Sequence, residues 1–167
     1  PDTRIRLRKR IPAGAGLGGG SSDAAATLTA LNALYGAPLE PADLLRIGAE
    51  LGSDVPYFLC GSPFALAWGR GERLLALTPP PSAPALVVVP PFSISTPEAY
   101  RDLAEYRERT GATNSPAVLD VDGLSRWDTL ADLAVNDFEP PTFERHPELE
   151  RLRDTLALDA RIALLSG

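Results

Sequence analysis

The chain has 167 residues, of which 44% are hydrophobic and 23% are charged, and its net charge is −6 at neutral pH. This composition is typical of a globular protein rather than a disordered one, and the acidic balance argues against nucleic acid as a partner. No apolar run approaches the roughly 20 residues that span a bilayer, so we expect no membrane association. The single cysteine, Cys60, excludes an internal disulfide and suits a reducing cytoplasm.

The first predicted element is a strand over residues 3–10, where isoleucine and leucine alternate with arginine. A period of two indicates a half-exposed strand, with its arginines toward solvent or toward anions. The chain contains no methionine and ends in an apolar stretch before a glycine. We therefore expect a fragment of a longer protein, with a terminal strand from Ala160.

A glycine-rich loop follows the first strand, with five glycines among the seven residues from Gly14 to Gly20. Glycine loses more backbone freedom on folding than any other residue, so such a run indicates a backbone that approaches a ligand closely. A helix is predicted next, from about Ser21 to Tyr35, because apolar residues recur there at helical spacing. The N–H groups at a helix start attract anions, so loop and helix together predict a phosphate site.

Capping residues mark the bounds of the predicted helices. Ser21, Ser22 and Asp23 favour the start of the first helix, and Gly36 favours its end. Pro41 predicts the start of a second helix over residues 42–51. The remaining predictions are strands over 64–68 and 73–77, a proline-rich connection over 78–84, a buried strand over 85–89, a helix over 97–109 with Thr96 as N-cap, and helices over 128–135 and 147–156. The proline-rich connection is the best candidate for a domain boundary.

Three well-known phosphate-binding loops do not fit this sequence. Gly14, Gly16 and Gly19 satisfy the G-x-G-x-x-G pattern of dinucleotide-binding folds. Those folds require a continuously apolar strand before the loop, and this one alternates with arginine. A protein kinase places a strand after its glycine loop, whereas a helix is predicted here. The P-loop pattern fails because no lysine followed by serine or threonine comes after the last glycine.

The loop is similar to the second motif of the GHMP kinases, the superfamily of galactokinase, homoserine kinase and mevalonate kinase. The matching residues are Pro12, Gly16, Leu17, Gly18, Ser21, Ser22 and Ala24. Residues 51–58, 95–100 and 136–139 resemble further segments of one branch, whose members phosphorylate a cytidine diphosphate-linked methylerythritol. The resemblance extends over essentially the whole chain.

The resemblance implies a two-domain α+β fold, with a nucleotide-binding half like ribosomal protein S5 domain 2 and a ferredoxin-like second half. The expected domains, both partial, are residues 1–80 and 84–167, with the site in the cleft between them. The implied reaction transfers a phosphoryl group from ATP, with Mg²⁺, to the 2-hydroxyl of a small-molecule substrate in the non-mevalonate isoprenoid pathway. The family's catalytic lysine belongs to a segment without a counterpart here, and Lys9 does not match it. A further glycine motif is expected to begin at about Ser166.

The same resemblance assigns roles to individual residues. Asp54 is the expected general base, which takes the proton of the substrate hydroxyl. Thr96 and Tyr100 are the expected substrate-binding residues, with the Tyr100 ring against the cytosine base. The expected ATP-binding residues are Pro12, Ala13, Gly14, Ala15, Gly16, Leu17, Gly18, Gly19, Gly20, Ser21 and Ser22. No cluster of histidine, cysteine and acidic residues in the sequence indicates a bound transition metal.

Simpler roles remain open for several of these residues. Asp54 also suits the N-cap of a turn near Pro56, Thr96 suits a helix cap, and Tyr100 suits a partial core position. The remaining expectations are structural: Asn136 and Asp137 support the fold, His146 lies at the surface, and Cys60 packs in the interior. Other functions also stay open, namely a homoserine kinase-type enzyme, a non-catalytic nucleotide-binding module and a dinucleotide-dependent dehydrogenase.

Overall fold

The structure is a computed structural model that describes residues 3–12, 14–113 and 118–166. These ranges contain a short hairpin and a larger number of helices, in a mixed α+β arrangement. The elements are α1 (Gly19–Leu34), α2 (Pro41–Leu51), α3 (Val55–Leu59), β1 (Ala65–Trp68), β2 (Arg73–Ala76), α4 (Thr96–Thr110), a 3₁₀ turn (Gly123–Ser125), α5 (Trp127–Leu133), α6 (Glu139–Arg145) and α7 (Pro147–Ala157).

The N-terminal half is organised by the packing of α1 and α2 against the short helix α3. Ala25 and Val55 are each only 2% exposed. A Cβ atom added to Gly48 on α2 would lie 2.6 Å from Leu59 Cδ1, so the missing side chain lets α2 and α3 approach closely. This packing fixes α1, whose N-terminus follows directly on the glycine loop.

The predicted hairpin is confirmed within one residue at each end. β1 and β2 pair antiparallel, with Ala65 opposite Ala76 and Trp68 opposite Arg73. The connecting turn contains Gly69 and Gly71, both with positive φ. A Cβ atom at Gly71 would lie 2.7 Å from the carbonyl oxygen of Ser53, so the hairpin turn packs closely against the segment that leads into α3.

The C-terminal half is held together by α4, α6 and α7. Leu103, Phe143 and Leu149 on these helices are buried. Ion pairs reinforce this small core: Arg145 Nη2 lies 2.7 Å from Asp102 Oδ1, and Arg109 Nη2 lies 2.6 Å from Glu144 Oε2. The half that would contribute the substrate residues therefore depends on charge as well as on apolar packing.

Helix starts and ends agree with the sequence in part. Gly36 follows the end of α1 with a φ of 81°, as predicted for a C′ glycine, and α2 begins at Pro41. The prediction that Ser21, Ser22 and Asp23 cap α1 is wrong, because α1 begins at Gly19 with Gly18 at the N-cap position and no side-chain cap. Glycines tolerate the left-handed geometry at this entrance, so the helix extends into the loop.

Three predicted strands do not form. Residues 3–10, residues 85–89 and the segment from Ala160 to Ser166 have no regular structure, and β1 and β2 form the sheet found in the described residues. Leu7 is 61% exposed and Leu86 is 76% exposed. An alternating or apolar pattern indicates a strand-like preference, but a strand also requires a neighbour to bond its N–H and C=O groups. Short helices α3 and α6 were not predicted as helices, because each spans too few residues to show a helical period.

Candidate functional site

The glycine loop has a backbone that is suited to an anion. Gly14, Gly16 and Gly18 have φ values of 73°, 67° and 62°, whereas Ala15 and Leu17 between them do not have positive φ. Alternation of positive and negative φ can turn successive N–H groups toward one concavity, as in the backbone nests that bind anions. The geometry supports the phosphate role that the glycine run predicts.

A shallow cavity of about 330 Å³ lies over this loop. It is lined by Lys9, Pro12, every residue from Gly14 to Ser21, and Thr96. The cavity therefore meets the N-termini of two helices, α1 and α4, and each of these ends carries a partial positive charge. Ala13 lies outside the described residues, and Ser22 does not line the cavity, since its hydroxyl donates to the carbonyl oxygen of Gly19 (3.1 Å).

Two glycines of the loop are required by their neighbours. A Cβ atom at Gly18 would lie 2.8 Å from Phe58 Cζ, and one at Gly19 would lie 2.8 Å from Ile11 Cγ2. A Cβ atom at Gly14 or Gly20 would meet nothing within 4 Å. The loop is thus packed against α3 on one side while its open positions face the cavity, which is the arrangement a close-approaching ligand needs.

An ion pair at the cavity edge was not predicted from the sequence. Lys9 Nζ lies 2.6 Å from Asp23 Oδ2, and the two side chains are 36% and 38% exposed. Lys9 is the single lysine of the chain, and this uniqueness is the feature of the sequence that could have indicated a role for it. Its ammonium group adds a positive charge to the loop, and Asp23 holds that group beside α1.

Asp54 lies in a second cavity of about 260 Å³ that adjoins the first. Leu17 and Gly18 line both cavities. The other lining residues are Ser53, Asp54, Tyr57, Phe58, Ala67 and Gly71. Asp54 occupies the N-cap position of α3, but its exposed carboxylate makes no capping hydrogen bond. The simple capping role is therefore not used, and the carboxylate lies next to the glycine loop.

Thr96 also lines the loop cavity, although the prediction that it caps α4 is wrong. The N-cap is Ser95, whose Oγ accepts a hydrogen bond from the Glu98 N–H, and Thr96 is the first helical residue. Ser95 and Glu98 form a capping box. The Ser95 hydroxyl donates to Glu98 Oε2 (2.6 Å), and this bond, together with the Ser95 N–H, lowers the pKa of Glu98 from its ordinary value of 4.5. The box leaves the Thr96 hydroxyl uninvolved in capping.

Tyr100 lies one turn after Thr96 on the same face of α4. It lines neither cavity, its side chain is 62% exposed, and its ring packs edge-to-face with Phe138 at a centroid distance of 5.0 Å. The structure brings Thr96 to the glycine loop and holds Tyr100 one turn further along α4, against Phe138 at the start of α6.

The residues expected to be structural all make contacts. Asn136 Nδ2 donates to the Leu165 carbonyl oxygen (2.8 Å), and Asp137 Oδ2 lies 2.7 Å from Arg107 Nη2. His146 is half-buried and stacks on Phe92 at 4.9 Å, so it is less exposed than predicted. Cys60 is half-buried, and its Sγ donates to the Tyr57 carbonyl oxygen (3.1 Å).

Two features of residues 3–12, 14–113 and 118–166 bear on partners. No helix there is long and apolar enough to cross a membrane. No group of three or more histidine, cysteine, aspartate or glutamate side chains in the same ranges is placed to hold a metal ion.

Comparison with known proteins agrees with the loop geometry. Residues 1–62 match the family model described as the GHMP kinases N terminal domain. Over these residues the chain is similar to the GHMP kinases.

The similar proteins share one description. A 4-diphosphocytidyl-2-C-methyl-D-erythritol kinase from Solibacter usitatus is 45% identical over 98% of this chain and 52% of its own length. The enzyme of that name from Pelotomaculum thermopropionicum is 43% identical over 98% of this chain and 56% of its own. A crystal structure of 4-(cytidine 5'-diphospho)-2C-methyl-D-erythritol kinase matches with a TM-score of 0.66 and 40% identity, covering 90% of this chain and 52% of that one. This match confirms the expected fold, and the chain spans about half the length of the curated relatives it matches.

Proposed function

We propose that the protein containing this chain transfers the γ-phosphoryl group of ATP to the 2-hydroxyl of 4-diphosphocytidyl-2-C-methyl-D-erythritol. The observation that carries the proposal is the pair of adjoining cavities: one over a glycine nest, and one with Asp54 at its edge. Identities of 42–45% to several kinases of this name, over 98% of the chain, support the choice of substrate. Both the substrate and the single cysteine suit a cytoplasmic location.

The loop would hold the ATP phosphates. Phosphoryl transfer asks the protein mainly for positioning and for neutralisation of charge on the phosphate oxygens. The N–H groups of the nest, the N-terminus of α1 and the Lys9 ammonium supply these without a P-loop lysine. Mg²⁺ would arrive with the triphosphate, and the Ser21 hydroxyl, which lines the cavity, is available to the metal or to a phosphate oxygen.

Asp54 would act as general base. Its carboxylate needs to accept the proton of the attacking hydroxyl while that oxygen approaches the γ-phosphate. Leu17 and Gly18 line both cavities, so Asp54 would lie beside a nucleotide bound in the first. Thr96, which lines the first cavity, would contact the polar part of the substrate where it meets the nucleotide, and Tyr100, one turn further along α4, would stack on its base.

The test uses the complete protein encoded by the reading frame that contains this chain. We expect phosphoryl transfer from ATP to the cytidine diphosphate-linked substrate and none to homoserine. Transfer to homoserine alone would show a different GHMP kinase, and binding of NAD(P)H in a fluorescence titration would indicate a dehydrogenase.

Asp54→Asn separates catalysis from binding. We expect turnover to fall by about 10²-fold or more, because a general base contributes 10²–10⁴-fold, while the Kd for ATP stays unchanged. Asp43→Asn is the matched control, since Asp43 lies on the exposed side of α2 with Arg46 Nη2 at 3.9 Å and should leave turnover unchanged. Unchanged turnover in Asp54→Asn would remove Asp54 from the mechanism, and ATP binding without any turnover in the unmodified protein would favour a non-catalytic module.

A further inference from the structure

The end of the described chain contacts the glycine loop. Ser166 Oγ donates a hydrogen bond to the carbonyl oxygen of Gly16 (2.9 Å), across 150 residues of sequence. Gly16 is one of the left-handed residues of the nest. A residue remote in sequence thus bonds directly to the backbone that would hold the phosphates.

Two polar side chains hold the residue before Ser166 from both sides. The Leu165 N–H donates to Glu139 Oε1 (2.8 Å), and the Leu165 carbonyl oxygen accepts from Asn136 Nδ2 (2.8 Å). Asn136 lies just before α6, and Glu139 is its first residue. With both backbone polar groups bonded, the Leu165 peptide groups have little freedom to rotate.

The side chains of Asn136 and Glu139 are themselves held in place by their neighbours. The Glu139 side chain is 10% exposed, and its second oxygen lies 3.5 Å from Arg153 Nη1. The Arg153 guanidinium in turn lies over the Phe143 ring at 5.0 Å. Asn136 Oδ1 accepts from the Phe138 N–H (2.9 Å), which orients the amide so that its Nδ2 points to Leu165. A buried carboxylate is costly unless it is bonded, so Glu139 strongly favours the position of Leu165 seen here.

The contact with Gly16 has a consequence for the next residue. In a planar trans peptide the C=O of one residue and the N–H of the following residue point in opposite directions. Holding the Gly16 carbonyl oxygen therefore also fixes the direction of the Leu17 N–H. Leu17 lines both the loop cavity and the Asp54 cavity.

We infer that Asn136 and Glu139 are positioning residues of the nucleotide site: they hold Leu165 so that the Ser166 hydroxyl fixes the Gly16–Leu17 peptide of the phosphate loop. The inference rests on the proposed binding of ATP at this loop. It gives the site two supports, the packing of α1 on α3 from one half and the Asn136–Glu139 pair from the other.

The experiment measures the Kd of a non-hydrolysable ATP analogue in the complete protein. Ser166→Ala removes the hydroxyl contact with Gly16, and Asn136→Asp replaces the amide donor to Leu165 while its carboxylate still accepts from the Phe138 N–H. We expect each to weaken binding by about threefold to tenfold, the effect of one hydrogen bond. The double variant should be no weaker than either single one, because both act through the same bond.

Two further variants distinguish positioning from general stabilisation. Glu139→Gln keeps an oxygen for the Leu165 N–H and should bind the analogue more tightly than Glu139→Ala does. Asp137→Asn is the matched control, since it breaks the ion pair with Arg107 Nη2 in the same segment and should leave the analogue Kd unchanged.

The outcomes separate this inference from the proposed function. If the unmodified protein binds no nucleotide, the proposed function fails, and the inference fails with it. If it binds the analogue but Ser166→Ala and Asn136→Asp bind equally well, only the positioning role is overturned. Additive losses in the double variant would also overturn it. Ser166 is exposed and its variant should melt at the unchanged temperature, so a folding defect in the Asn136 or Glu139 variants does not decide the question.

Discussion

The two halves of the molecule keep their shape by different means. In the N-terminal half, α1, α2 and α3 approach closely around Val55, helped by the missing side chain of Gly48. In the C-terminal half, α4 and α6 are joined by the ion pairs of Arg145 and Arg109 around a small apolar core. The glycine loop belongs to the half that is held by close packing, and the expected substrate residues belong to the half in which ion pairs join the helices. Substitutions that change side-chain volume should therefore destabilise the first half most. Changes of side-chain charge or of salt concentration should destabilise the second half most.

The largest structural effect in this comparison is expected for Gly18→Ala. The residue has a φ of 62°, and its Cβ would lie 2.8 Å from Phe58 Cζ. Left-handed backbone costs about 1–2 kcal/mol and overpacking about 1–3 kcal/mol, so we expect the free energy of unfolding to fall by about 2–5 kcal/mol. Urea denaturation measures it.

Gly20→Ala is the matched control for this prediction. Gly20 is helical, and its Cβ would meet nothing within 4 Å, so stability should be unchanged or rise by up to about 1 kcal/mol. Equal losses in the two variants would contradict a requirement specific to Gly18.

A smaller effect is expected for Arg145→Leu in the second half. Asp102 has a side chain that is only 10% exposed, and Arg145 Nη2 lies 2.7 Å from its Oδ1. Removal of the arginine leaves a buried carboxylate with a weaker partner, Arg101, at 3.8 Å. Because Arg145 itself is half-exposed, solvent screening limits the loss to about 1–3 kcal/mol.

The exposed pair in the same half provides the control. Arg109 and Glu144 are 59% and 52% exposed, so Arg109→Leu should cost about 1 kcal/mol or less and lose its effect in high salt. Thermal unfolding at low and high ionic strength measures both variants. Similar losses of unfolding free energy for Arg145→Leu and Arg109→Leu would show that the burial of Asp102 does not strengthen its ion pair.

The smallest effect concerns pH and the start of α4. The bonds from Ser95 lower the pKa of Glu98 below 4.5, so the ionised carboxylate stabilises the folded state. This contribution is fully present above pH 4.5 and is lost as pH falls through the lowered pKa. Amide hydrogen exchange in the first turn of α4 should accelerate over that acid range, and Glu98→Gln should exchange with less dependence on pH. An identical pH dependence in the variant would exclude Glu98 as the titrating group.

Local features of the site were predictable from the sequence. The glycine loop, the helix after it, the hairpin over β1 and β2, and the placement of Asp54 before a short apolar segment all depend on neighbours along the chain. The capping of α4 by Ser95 rather than Thr96 was also readable in principle, since Ser95 and Glu98 have capping-box spacing. The strands predicted over residues 3–10 and 85–89 have a composition typical of strands, but no neighbouring strand pairs with them in the described residues.

The sequence by itself determined the loop, because alternating glycines can adopt the left-handed backbone that a phosphate nest needs. The sequence also carries a similarity to the second GHMP motif, and comparison with known proteins finds the same similarity over residues 1–62. Only the tertiary structure decided which distant residues meet this loop: Thr96 at the cavity, Lys9 on Asp23, and Ser166 on Gly16. Such contacts arise from the packing of whole helices, and no spacing along the chain encodes them.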